Sequence, residues 1–216
     1  TATDSIIFDN IGSTSPKWNG FTLHGVTDET IFEYVRISGA EKTDDGNEAG
    51  SEVGSGAGML LILSDPIINH VAITKNHTSS NFYGNGGGIY MWDSSPTLSN
   101  VVISENYASN YGGGMDIYLN SYPTLNNITI RNNISDYAGG GLVIWTPNSN
   151  LEFNYITIQD NIAQFAGGVY IRDPNYSDGN FKIYNMSIIN NIATIAGGGI
   201  YSNGFNLFSF RGIILS

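Results

Sequence analysis

Two sets of residues in this 216-residue chain have the types and spacing to do chemistry. The first is a pair of series that recur every 26 to 31 positions: Tyr90, Asp116, Val143, Tyr170 and Tyr201, and beside them Trp92, Tyr118, Trp145 and Arg172. Aromatic faces stack on the apolar faces of pyranose rings while polar edges bond hydroxyls. Tyr90, Trp92, Tyr118, Trp145, Tyr170 and Tyr201 are therefore expected to form an exposed glycan-binding strip. The same strip holds the few candidates for catalysis, Asp116, Arg172 and Asp173, with Asp93 and Glu152 at loop edges. A polysaccharide lyase needs clustered carboxylates for calcium plus a base, and a glycosidase needs two carboxylates about 5 to 9.5 Å apart. Asp116 and Arg172 stand two repeats apart, roughly 10 Å at the usual strand spacing, which is loose for a catalytic pair. No catalytic residue is assigned on this basis.

The second set is two oxygen-rich loops. Residues 41–48 carry Asp44, Asp45 and Glu48, with Glu52 following, and residues 173–180 carry Asp173 and Asp178 among Asn, Ser and Gly. Calcium takes six to eight oxygens of this kind, so calcium is possible at either loop, and no cofactor is otherwise expected. Neither loop fits an EF-hand, and both also read as solvated turns. His24, His70 and His77 are scattered and read as polar surface or turn residues rather than general bases.

Charge narrows the partners. Eight basic residues against 19 acidic ones give a formal net charge of -11, which repels phosphate backbones and anionic lipid heads. Nucleic acid and membrane surfaces are poor candidate partners, and neither nucleic-acid binding nor a direct membrane span is expected. There is no cysteine, hence no disulfide frame and no thiolate chemistry. No run approaches the roughly 20 apolar residues of a membrane helix. Residues 1–10 lack the layout of an export signal.

The elements that must position these residues are set by an internal repeat. A glycine cluster followed by an apolar residue returns at Met59, Ile89, Met115, Leu142, Val169 and Ile200, and Ile-x-x-Asn returns at Asn76, Asn106, Asn133, Asn161 and Asn191. Two motifs in phase, with length variation confined between them, describe a solenoid. The alternation in Ile89-Tyr90-Met91-Trp92 and Val101-Val102-Ile103-Ser104 has period two, so the repeating unit is built of short strands. Inward columns Ile89/Met115/Leu142/Val169/Ile200 and Val101/Ile128/Ile156/Met186/Ile213 form the core. Asn side chains bond from coil to coil in a ladder, and Pro66, Pro96 and Pro123 mark a corner.

These motifs resemble the repeats of the chlamydial polymorphic outer-membrane proteins, appearing here as Gly-Gly-Gly-Ile and Ile-x-x-Asn over about residues 56–216. The resemblance implies the pectate-lyase-like right-handed parallel β-helix of bacterial surface proteins, a shape shared by adhesins, passenger domains, lyases and epimerases. The expectation is one all-β domain over 1–216, about 27–30 residues per coil and about seven coils. Residues 1–55 form degenerate first coils with an acidic loop at 41–55, and residues 56–216 form regular coils. The chain is expected to be a piece of a longer secreted or cell-surface bacterial protein. Its partners would be a glycan or protein on the cell surface and further coils of the same polypeptide.

Overall fold

The computed structural model describes residues 5–10, 18–43, 54–80, 83–145, 151–172, 181–203 and 208–215. Among these residues there is no helix, and so none long and apolar enough to cross a membrane. Every strand pairing is parallel, and the strands fall into three sheets of ten, seven and six members. A regular coil contributes one strand to each sheet, as with Met115–Tyr118, Thr124–Arg131 and Ile134–Ser135, while two earlier coils give the ten-stranded sheet two strands each, Ile31–Glu33 with Val35–Ser38 and Ile67–Asn69 with Ala72–Thr74.

The register is the one the repeat predicts. Met59, Ile89, Met115, Leu142, Val169 and Ile200 are successive neighbours in the seven-stranded sheet, making five full turns. Val101, Ile128, Ile156, Met186 and Ile213 stack in the ten-stranded sheet. Phe21 extends the first column below Met59, so the early, degenerate segment is a coil in the same register. Buried members of these columns form one continuous core, each side chain contributing roughly 1.5 to 3 kcal/mol.

The asparagines close the next corner from inside. Asn106 and Asn133 are each no more than 1% exposed, and the Asn106 amide donates to Asn133 Oδ1 at 3.0 Å and to the Ile73 carbonyl at 3.0 Å. Asn133 Oδ1 also accepts the Asn106 backbone N–H at 2.9 Å, and the same set recurs from Asn76 to Asn191. A serine ladder unforeseen from the sequence closes another corner. There the Ser64 N–H donates to Ser94 Oγ at 3.0 Å and the Ser94 N–H to Ser121 Oγ at 3.2 Å.

Glycines act in two ways. Gly112 has a φ of 66°, where a side chain is strained, and Gly114 lies so close to the next coil that a Cβ there would sit 2.6 Å from the Gly141 carbonyl oxygen. At the end that carries Phe21, the rings of Phe8, Trp18 and Phe32 pack edge-on or tilted around it, with centroids 4.9 to 5.7 Å from the Phe21 ring.

Candidate functional site: the outer face of the seven-stranded sheet

In each strand of this sheet the first and third residues point into the core, and the second and fourth point out. The second-position series is in register as expected, with Tyr90, Asp116, Val143, Tyr170 and Tyr201 side by side. It is not exposed, however. Tyr90, Asp116 and Val143 are 0% exposed and Tyr170 is 3%. The cause is the glycine corner. With φ positive, the chain entering each strand folds back over the side chain four residues later, so a Cβ on Gly86 would lie 2.8 Å from Tyr90 Cβ and one on Gly112 would lie 2.9 Å from Asp116 Cβ. Ala138, Val143, Ala166 and Tyr170 make a second, smaller apolar cluster outside the main core, with Tyr111, Trp145, Phe165 and Tyr201 against it. The expectation of an exposed strip is therefore corrected for Tyr90 and Tyr170, which have no free face on which a sugar ring could stack.

The fourth-position series keeps its access. Trp92, Tyr118, Trp145 and Arg172 are all half-buried, one per coil. Their rings do not lie in parallel planes. Trp92 meets Tyr118 edge-on at 6.4 Å, Tyr118 meets Trp145 edge-on at 5.3 Å, and the Arg172 guanidinium lies 4.7 Å from the Trp145 ring centroid. Tyr111, on the turn before Met115–Tyr118, packs 5.0 Å from both Trp145 and Tyr137. Tyr137 is 40% exposed and extends the aromatic surface sideways. Tyr111 and Tyr137 went unnoticed in the sequence because they sit in the turn outside both motifs. Their signal was the repeated aromatic at Tyr83, Tyr111, Tyr137 and Phe165, just ahead of each corner.

Electrostatics divide the face. Asp116 is fully buried, neither carboxyl oxygen has a hydrogen-bond partner, and burial holds its pKa well above the usual carboxylate range. The Trp145 indole N–H is the one group acting in the opposite direction, but it too falls short of regular hydrogen-bond geometry. Burial, and then the Asp116 charge, also raise the Tyr118 pKa, while Arg172 lowers it. Burial raises Tyr111 and Tyr170 as well, so these phenols remain proton donors at neutral pH. Arg172 has no ion pair among the described residues. Asp93, at the other end of the series, accepts the Asn120 amide at 2.8 Å.

The remaining candidates are dispersed. Asp173, Asp178, Asp44, Asp45 and Glu48 lie outside the described residues, as does the Glu152 side chain. Among the described residues no three His, Asp or Glu side chains are grouped to hold a metal. His70 sits at a bend with a φ of 53° and stacks on Tyr34 at 4.9 Å, and His77 stacks on Tyr107 at 4.3 Å. Tyr107 donates to Asp136, and burial together with that carboxylate pushes the phenol up to about 12. His24 stands in the fourth-position column of the seven-stranded sheet two coils before Trp92, with Ile62 between them, and is exposed, while His70 and His77 lie off that sheet.

Neither curated proteins nor solved structures gave a match to this chain. A family model described as the right handed beta helix region matches residues 19–212. With parallel coils stacked in register over that same span, the chain belongs to the right-handed β-helix family.

Proposed function

We propose that this chain is a non-catalytic structural and binding segment of a larger secreted or cell-surface protein, adhesin-like, that holds a glycan on the outer face of the seven-stranded sheet. The fold itself is compatible with surface and with enzymatic roles. The observation that supports binding is the half-buried series Trp92, Tyr118, Trp145 and Arg172, which offers ring surface and polar edges on rigid strands. Its length is three strand spacings, roughly 14 Å, the extent of a short oligosaccharide. A protein partner on the same face, and further coils of the same polypeptide at either end, are compatible with this role.

A carbohydrate-active enzyme, lyase or hydrolase, is the second reading, favoured by one observation. Asp116 is a buried acid beside the aromatic series whose pKa burial raises, the direction a general acid needs. Its complete burial argues against that role. Passing the protein over immobilised neutral and acidic polysaccharides separates the readings. Retention without new reducing ends or unsaturated products is the expected result. Release of either product would replace the binding role by the enzymatic one, and retention on no polysaccharide would overturn both.

A further inference from the structure

We propose that the aromatic series selects anionic sugars, with Arg172 fixing a carboxylate or sulfate while Trp145 and Tyr118 hold the ring beside it. This rests on the glycan-binding reading and adds the chemical class of the ligand.

The argument starts from scarcity. The chain has 8 basic residues against 19 acidic ones, so a cation retained on one face of an acidic protein is informative. The Arg172 guanidinium carbon lies 4.7 Å from the Trp145 ring centroid, a cation–π contact that holds the charge beside the ring. A guanidinium presents its N–H donors in a fixed planar fork, which can grip a planar anion through two bonds. No ion pair joins Arg172 to a carboxylate among the described residues.

Among the described residues the nearby acids do not pair with Arg172. Asp116, on the strand two coils before Arg172, is fully buried, and burial raises its pKa, which favours the neutral carboxyl. Asp93 lies at the far end of the series, beyond Trp92, and is engaged by Asn120. The series therefore has a direction, with a cation at one end, a carboxylate at the other and three rings between. An oligosaccharide lying along it would place its anionic group over Arg172.

The test uses the full chain and a matched pair of ligands, a glucose-based oligosaccharide and the same backbone oxidised to uronate at C6. The parent should bind the uronate at least about tenfold more tightly than the neutral form, the effect of one charge-assisted contact. That preference should shrink as salt is raised. Arg172→Gln should bring the uronate down to about the affinity of the neutral form, and Arg172→Lys should retain part of the preference. Equal binding of the two ligands by the parent overturns the anion selectivity and leaves the glycan site standing, as does a preference that survives Arg172→Gln. The salt series on the parent decides the matter without any variant: a preference unchanged between low and high salt also overturns it. If the parent binds neither ligand nor any glycan of a wider panel, the binding site itself is refuted.

Discussion

The Asp116 carboxyl and the Trp145 indole N–H are neighbours in the wall of the solenoid, each buried at its polar atoms and neither making a regular hydrogen bond. An acid in this position costs stability, because the same column holds Val143 one coil on and Tyr90 one coil before. Asp116→Val should raise stability at neutral pH by about 1–3 kcal/mol, the cost of an unsatisfied buried polar group. Urea unfolding of the two proteins checks it, and a loss of stability would mean that the carboxyl has a partner the geometry does not reveal.

The pH dependence follows from the same residue. Below about 3.9, the ordinary aspartate value, the folded and the unfolded chain both hold the proton. Above it the unfolded chain releases the proton while the folded chain keeps it, so the contribution of Asp116 falls as pH rises toward its raised folded pKa. Asp116→Asn should remove that decline, making the variant's stability flatter than the parent's from pH 4 upward. Chemical unfolding midpoints across that range provide the measurement.

Two asparagine ladders differ in what they hold. Asn133 Oδ1 accepts the backbone N–H and the side-chain amide of Asn106, and its own amide donates to Asn161 Oδ1 and the Ile103 carbonyl, all in the buried interior. Asn127 donates to Asn100 on the exposed surface. Asn133→Ala should cost about 3 kcal/mol or more by leaving several buried groups unpaired, whereas Asn127→Gly should cost less than about 1, since glycine suits its φ of 55°. Thermal unfolding of both variants would show the contrast, and equal losses would contradict it.

Gly114 is required for approach rather than for its dihedral angle. A Cβ there would meet the Gly141 carbonyl oxygen at 2.6 Å and Ile130 Cγ2 at 2.7 Å. Gly114→Ala should therefore separate coils and destabilise by roughly 1–3 kcal/mol or more, as overpacking does. Denaturant midpoints of the two proteins are the check, and a neutral result would mean that the coils are less tightly stacked.

The core was legible in the sequence because a parallel register repeats every contact at the same period. Met115 and Asn133 identify their neighbours by spacing alone. Exposure was less legible. Period-two alternation distinguishes inside from outside relative to the sheet, and it correctly sent Tyr90, Asp116 and Tyr170 outward. It carries no information on whether another part of the chain returns to cover them, which here depends on positive φ at Gly86, Gly112 and Ala166. The bends at His70, Asn100 and Asn127 were also missed, since a single left-handed residue within a strand or between two short ones interrupts no hydrophobic pattern.

Tryptophan emission gives the most direct test of the glycan site. Of the three tryptophans, Trp92 and Trp145 are in the aromatic series, and Trp18 is among the Phe8 and Phe21 rings with its N–H on the Ser38 carbonyl at 3.0 Å. In a Trp18→Phe background every emitting ring is on the proposed site. Titration with a glycan that the parent retains should shift or quench the emission and saturate at the same concentration as retention. Trp92→Ala in that background should weaken the affinity about fivefold to tenfold, for a ring contact of the order of 1 kcal/mol. Retention of the glycan with no change in emission at saturation would place the binding elsewhere on the solenoid and contradict the account.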